Sequence, residues 1–71
     1  MKTLLERAKP QLVEALKNLK ATYPNIGAEA EKHLVENSFI SDLRWGTWVD
    51  LRSALLQTTK TYPDNPYELF E

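Results

Sequence analysis

A chain of 71 residues with a net charge of −1 at pH 7 can form one domain at most, with a small hydrophobic core. It contains no cysteine, which excludes disulfides and thiolate metal sites as sources of stability. No stretch approaches the roughly 18 consecutive apolar residues of a membrane-spanning helix, and the charged start of the chain is unlike a signal peptide. We therefore expect a cytoplasmic protein that does not insert into a membrane.

The charges alternate in sign along the chain. Residues 1–20 carry five basic and two acidic side chains, and residues 21–42 carry one and four. Residues 43–60 carry three basic and one acidic side chain, and residues 61–71 carry three acidic side chains and no basic one. Segments of opposite charge suit a helical bundle, whereas a nucleic-acid-binding protein more often has a net basic surface.

The first predicted helix covers residues 4–21. Thr3 and Glu6 match the capping-box pattern, in which each side chain accepts a hydrogen bond from the other residue's backbone N–H. A helical projection places seven apolar side chains on one arc, namely Leu4, Leu5, Ala8, Leu12, Ala15, Leu16 and Leu19. Because an interior proline costs a helix about 3 kcal/mol, Pro10 predicts either a kink or a short first helix followed by a second one with Pro10 in its first turn.

The second predicted helix covers residues 26–37. The residue before a proline is disfavoured in helical geometry, so the first helix should end near Tyr23, and Asn25 can cap the next helix. The apolar side of this short segment consists of Ile26, Ala30 and Leu34. With so few apolar residues, it depends on packing against the other helices.

The third predicted helix covers residues 42–60 and has two apolar faces. Ser41 can cap its amino end. The broader face is typical of a core helix and contains Leu43, Thr47, Trp48, Leu51, Ala54, Leu55 and Thr58. A second strip contains Trp45, Val49 and Leu56. A glycine inside a helix costs about 1 kcal/mol relative to alanine, so Gly46 predicts either that something packs closely against it or that the helix begins after it.

The connections are expected to close the bundle. Phe39 and Ile40 should cover one end of it, and residues 67–70 should form a last turn that lies back over it. Residues 11–25 align without gaps with residues 50–64, with six of fifteen positions identical. A duplicated unit of helix and stop signal would explain this similarity, but true repeat arrays need about three units to be stable, so we favour coincidence between two amphipathic helices that end at Tyr-Pro. In either case we expect the rings of Tyr23 and Tyr62 to pack at the helix carboxyl ends. For residues 39–51, a β-hairpin is the alternative to the start of the third helix. This stretch lacks the strict alternation and the Asn-Gly or Asp-Gly turn that such hairpins prefer.

His33 is the single histidine and the first candidate for a metal or catalytic site. Glu29 lies four residues before it and Glu36 three residues after it, so either pair could offer a nitrogen and an oxygen to a metal. Two ligands do not complete a site that usually takes about four, and there is no cysteine or second histidine. We expect a solvated or partly buried histidine, with no metal and no cofactor.

Catalytic signatures are absent from the sequence. Paired carboxylates would need a pocket that shifts their pKa values, and a bundle this small rarely has one. A lone histidine makes a Ser/His/Asp set implausible, and neither glycine belongs to a phosphate-binding loop. We therefore expect a protein that is not an enzyme.

The strip of Trp45, Val49 and Leu56 is the best candidate for a partner-binding surface. Together with Arg44 and Arg52 it has the tryptophan and arginine content of interface hot spots. The alternative is that the short second helix or residues 67–70 cover this strip, which would make it core.

The sequence as a whole predicts an all-α fold, a small three-helix bundle with a short C-terminal helical turn, over a single domain of residues 1–71. We expect an adaptor, inhibitor or regulator that docks an apolar helix face on a protein partner or on a second copy of itself. A small helical DNA-binding regulator is the alternative, because Lys2, Lys9 and Lys20 share one side of the first helix and residues 26–60 have a helix-turn-helix outline. The connecting turn lacks glycine, however, and tryptophans and leucines stand where base-reading side chains would be needed.

Overall fold

The computed structural model describes residues 2–71, and its α-helices are α1 (Leu4–Arg7), α2 (Pro10–Thr22), α3 (Pro24–Glu36) and α4 (Trp45–Thr59). Short 3-10 turns occur at Ile40–Asp42 and Pro66–Leu69. No strand occurs within residues 2–71, where the one extended pairing is an isolated antiparallel bridge between Ala8 and Phe70. The predicted all-α class is confirmed. None of these helices has both the length and the apolar content needed to cross a bilayer.

Pro10 divides the first predicted helix into two. The capping box forms as expected, since the Glu6 N–H donates to Thr3 Oγ1 over 3.2 Å and the Thr3 N–H donates to Glu6 Oε1 over 3.1 Å. The helix α1 then ends at Arg7, and extended backbone at Ala8 and Lys9 leads to Pro10 at the first position of α2. Proline is tolerated at that position because its missing N–H would have no helical partner there. Of the two predicted alternatives, the short first helix is confirmed.

The corner between α2 and α3 is tighter than the sequence predicted. Tyr23 ends α2 and also precedes α3, which begins at Pro24 rather than at residue 26. Asn25 is therefore inside the helix, and the prediction that it caps α3 is wrong. A Cβ placed on Gly27 would lie 2.5 Å from the Cα of Lys20, so the missing side chain of Gly27 is what lets α3 approach α2.

The helix α4 begins at Trp45, three residues later than predicted. The residues Ser41 and Asp42 belong to a separate 3-10 turn, so the predicted Ser41 cap is wrong, and Arg44 precedes the helix without a side-chain cap. Both explanations for Gly46 are wrong as well. The helix begins one residue before it, and a Cβ on Gly46 would meet nothing within 4 Å.

The core lies between α2, α3 and α4, with α2 packed against the other two. Its buried apolar residues are Leu4, Leu12, Ala15, Leu16, Leu19, Ala30, Leu34, Trp48, Leu51, Ala54, Leu55, Leu69 and Phe70. The predicted core faces of the first and third helices are thus confirmed. On α3 the prediction was partly wrong, because Ile26 is exposed and Gly27 and His33 are buried instead.

The C-terminal residues return over the bundle, as predicted. The Lys9 N–H donates to the Leu69 carbonyl over 2.9 Å, and the Glu71 N–H donates to the Arg7 carbonyl over 2.8 Å. Leu69 and Phe70 are buried by this return, whereas Tyr67 stays exposed.

The prediction that Phe39 covers one end of the bundle is wrong. Phe39 is exposed, and only Ile40 of that pair packs against the core. The side chains of Tyr23 and Tyr62 are each 55% exposed. The Tyr62 ring packs outside the core, on Arg52 of α4, whose guanidinium carbon lies 3.8 Å from the centre of the ring.

Candidate functional site

The strip of Trp45, Val49 and Leu56 lies on the outward side of α4. These side chains are 73%, 39% and 45% exposed, respectively. The opposite side of α4 holds the buried residues Trp48, Leu51, Ala54 and Leu55. A helix turns by about 100° per residue, which separates the two sets onto different faces. Neither α3 nor the C-terminal residues cover the strip, so the alternative that it belongs to the core is wrong.

The two arginines that flank the strip in sequence have different surroundings. The Arg52 Nε donates to the Pro63 carbonyl over 2.8 Å, and the guanidinium carbon lies 3.8 Å from the centre of the Tyr62 ring and 5.4 Å from that of Trp48. Arg52 therefore fastens the segment after α4 to the helix by a hydrogen bond and by stacking on aromatic rings. Arg44 is exposed next to Trp45.

His33 joins α3 to the start of α4. It is 4% exposed, and its Nε2 accepts a hydrogen bond of 3.0 Å from the backbone N–H of Arg44. On the other side of the ring, Nδ1 lies 3.3 Å from the Arg44 Nε and 3.1 Å from the Asn37 Nδ2. The Asn37 amide also donates to the His33 carbonyl over 2.8 Å. The expectation of a solvated or partly buried histidine is corrected, because a backbone donor from another element holds this ring inside the fold.

These contacts fix the residue that comes just before the strip. Because the backbone N–H of Arg44 donates to His33, the first turn of α4 and the Trp45 that opens it are anchored to α3. Within residues 2–71 no three histidine, cysteine, aspartate or glutamate residues come together in a group that could hold a metal ion.

A groove runs beside the strip, between α4 and the corner of α2 and α3. Its volume is about 240 Å³, and the side chains that line it include Leu19, Tyr23, Ile26, Asp50, Ser53 and Gln57. A second hollow of about 210 Å³ continues along α4 past Glu29 and Thr47, and shares Ile26 and Asp50 with the first. This groove was not predictable from the sequence, because it arises from the angle between helices that are distant along the chain.

One acidic residue, Asp50, lines the groove, and Glu29 lines the hollow that continues it. Among residues 2–71 the one ion pair joins Lys20 to Glu31, at 2.8 Å and on the surface. Neither Asp50 nor Glu29 takes part in an ion pair within the described part of the chain. A positively charged group on a bound partner would be attracted to them.

Comparisons with known proteins add no family. No protein family model matches the chain, and searches of curated proteins and of solved structures find no significant match. The fold and the surface together define a small all-α domain with an exposed apolar strip and an adjoining groove that contains Asp50.

Proposed function

We propose that this chain is a non-enzymatic interaction domain, an adaptor, inhibitor or regulator, that docks on a protein through the outward face of α4. The observation that carries the proposal is the position of Trp45. It is the most exposed large apolar side chain of the described residues, and it lies in line with Val49 and Leu56. Large tryptophan side chains at the centre of an interface contribute much of the binding energy in many complexes.

Burial of Trp45 at an interface would contribute substantially to the free energy of binding. A tryptophan buries about 150–250 Å² when it is covered, and each square ångström of apolar surface is worth about 25 cal/mol. Because 73% of Trp45 is still exposed, covering it would contribute about 3–5 kcal/mol before the costs of association. Those costs are reduced because the core on the opposite side of α4 already holds the helix backbone rigid.

A substitution at the middle of the strip tests this proposal. Val49→Asp would place an unpaired carboxylate in the interface, so we expect the affinity for the partner to fall at least about a hundredfold. Val35→Asp is the matched control, because Val35 is 48% exposed on α3. Circular dichroism should show that both variants keep the helical fold.

Binding is measured by light scattering for self-association and by pull-down from a lysate of the cells that produce the protein. The expected result is association by the wild type and by Val35→Asp, and none by Val49→Asp. Equal behaviour of the two variants would contradict the proposal, and so would unfolding caused by Val49→Asp alone.

A DNA-binding regulator is the second candidate, and the surroundings of the basic residues give it less support. Lys20 is paired with Glu31, Arg7 donates to the Ser38 and Glu71 carbonyls, and Arg52 donates to Pro63. Salt dependence separates the two candidates. Binding of a labelled DNA duplex through phosphate contacts should weaken steeply between about 50 and 200 mM salt, whereas docking of an apolar face should change little.

A further inference from the structure

We propose that His33 is an acid-sensitive cap of α4, and that protonation of its ring releases the start of the helix together with Trp45. The residue that precedes the helix is Arg44, whose own side chain makes no capping hydrogen bond. Its backbone N–H donates instead to His33 Nε2, over 3.0 Å. The cap therefore comes from α3. This inference goes beyond the proposed function and does not depend on it.

The bond from Arg44 to His33 satisfies a donor that the helix itself cannot satisfy. The first four N–H groups at the start of a helix have no acceptor within the helix, and that of Arg44 is one of them. The histidine side chain is 4% exposed, so this bond forms away from solvent. A buried donor that loses its acceptor destabilises the structure around it, here the first turn of α4.

The polar groups around the His33 ring are donors. Nδ1 lies 3.1 Å from Asn37 Nδ2 and 3.3 Å from Arg44 Nε. The same Asn37 Nδ2 donates to the His33 carbonyl over 2.8 Å, and turning the amide over would place its oxygen against that carbonyl. The groups beside Nδ1 belong to side chains, which can turn aside, whereas the Arg44 N–H is fixed by the backbone. Nε2 must therefore be the unprotonated nitrogen, and the proton of the neutral ring is on Nδ1.

The protonated ring cannot cap the helix. An imidazolium carries a proton on both nitrogens and is only a donor. Its Nε2–H would point at the Arg44 N–H, so the hydrogen bond of the neutral ring is lost. Rotation of the ring does not restore the bond, because neither nitrogen can accept.

The charges around His33 do not compensate for a second cation. The closest is the Arg44 guanidinium, beside Nδ1. The other charged side chains of α1, α3, the turn before α4 and the first half of α4 are Glu6, Arg7, Glu29, Lys32, Glu36, Asp42 and Asp50, besides Glu31. From α2, Lys20 is paired with Glu31, and this is the one ion pair among residues 2–71. No carboxylate of this part of the chain thus pairs with the ring, and a buried charge needs such a partner.

The direction of the pH dependence follows from the form that fits. Histidine is the side chain whose charge ordinarily changes between about pH 5 and 8. Because the neutral ring holds α4, the cap is present at the upper end of this range and is lost as the pH falls. His33 is the single histidine of the chain, so no other imidazole titrates with it. Acid therefore loosens Trp45, the residue that follows Arg44.

Hydrogen exchange of the Arg44 amide, followed by NMR at about pH 7.5 and about pH 5, measures the cap directly. Rates are corrected for the pH dependence of exchange in an unstructured peptide. Protection of the Arg44 amide should then be at least about tenfold lower at the lower pH. Protection of the Leu51 amide, in the buried part of the same helix, should change by less than about threefold.

Two variants separate loss of the cap from a general effect of acid. In His33→Gln the amide oxygen can accept from the Arg44 N–H and does not titrate. Protection of the Arg44 amide in this variant should change by less than about twofold between the two pH values. His33→Leu has no acceptor, so at about pH 7.5 it should already show the low protection that the wild type shows at about pH 5.

The tautomer of the wild-type ring is a test that needs no variant. A long-range proton–nitrogen NMR spectrum at about pH 7.5 distinguishes the protonated from the unprotonated ring nitrogen. The expected result is a proton on Nδ1 of His33 and none on Nε2. A proton on Nε2 overturns the inference, because that nitrogen could not then accept from Arg44.

Two outcomes of the exchange experiment would also overturn the inference. Equal loss of protection at Arg44 and Leu51 would show that acid acts on the whole domain and not on the start of α4. The same pH dependence in a folded His33→Gln variant would show that another group is responsible. Neither outcome affects the docking of the strip, which Val49→Asp tests separately.

Discussion

The two glycines of this chain have opposite surroundings, although both lie near the start of a helix. Gly27 is buried where α3 crosses α2, and a Cβ there would lie 2.5 Å from the Cα and 2.7 Å from the backbone nitrogen of Lys20. Gly46 is exposed, and a Cβ there would meet nothing within 4 Å. The first glycine is required by packing, whereas the second lowers the stability of the folded monomer.

Alanine at each glycine should therefore change stability in opposite directions. Gly46→Ala should raise the free energy of unfolding by about 0.5–1 kcal/mol, because alanine restricts the unfolded chain and causes no clash in the helix. Gly27→Ala should lower it by about 1–3 kcal/mol, because backbone atoms cannot move aside as a flexible side chain can. Urea unfolding followed by circular dichroism measures both. Equal effects of the two substitutions would show that helix propensity alone decides, without the contact to Lys20.

The four-residue helix α1 is too short to be stable without its cap. Thr3 and Glu6 supply the cap through two reciprocal hydrogen bonds. The bond from the Thr3 backbone N–H, followed by that with the Thr3 side chain, lowers the pKa of the Glu6 carboxyl below its ordinary value of 4.5. Because the folded pKa is the lower one, the cap stabilises the fold above the pKa of the unfolded chain. Its contribution is lost as the pH falls through the folded pKa.

Titration of the Glu6 carboxyl by carbon-13 NMR checks this linkage. The folded protein should titrate Glu6 at a lower pH than the same protein in urea. Thr3→Ala removes the side-chain part of the cap, so it should move the folded pKa of Glu6 upward toward the value in urea. The same Glu6 titration in the folded protein and in urea would show that the capping box does not persist in solution.

The elements differ in how far their sequences determine them. The helices α2 and α4 each carry a dense apolar stripe, so their core faces were predictable from helical period alone. Few apolar residues lie on α3, and its orientation depends on the contact of Gly27 with Lys20 and on the hydrogen bonds of His33. Both are tertiary contacts, which no helical projection of α3 contains.

The candidate surface was also only partly predictable from the sequence. Period alone predicted that Trp45, Val49 and Leu56 share one strip, because all three lie on a single helix. It could not predict that Arg52 is drawn toward Pro63, since that contact depends on how the chain turns after α4. The groove required knowledge of where Ile26 of α3 stands relative to Asp50 of α4. Properties of one helix were therefore predictable, and properties of two helices together were not.

The N-terminal and C-terminal segments of residues 2–71 pack against each other. The segment between α1 and α2 pairs with the C-terminal residues through the bridge of Ala8 with Phe70 and the hydrogen bond from Lys9 to Leu69. Arg7 adds hydrogen bonds from its side chain to the carbonyls of Ser38 and Glu71, at 2.8 and 3.0 Å. Three segments that are distant in sequence thus meet around one arginine. Folding of such a small domain should be cooperative, since none of these segments is held in place alone.

Replacement of Phe70 by alanine tests how much the packing of the two terminal segments contributes to the stability of the fold. Phe70 is 5% exposed in the core, whereas Tyr67 in the same C-terminal segment is 67% exposed. Phe70→Ala should lower the free energy of unfolding by about 3–5 kcal/mol, which is a large share of the total stability of a small domain. Tyr67→Ala should change it by less than about 0.5 kcal/mol.

Urea unfolding of both variants, followed by circular dichroism and by tryptophan fluorescence, measures the difference. If Phe70→Ala costs no more than Tyr67→Ala, the C-terminal segment is not part of the cooperative core, and the bundle of α2, α3 and α4 is stable without it.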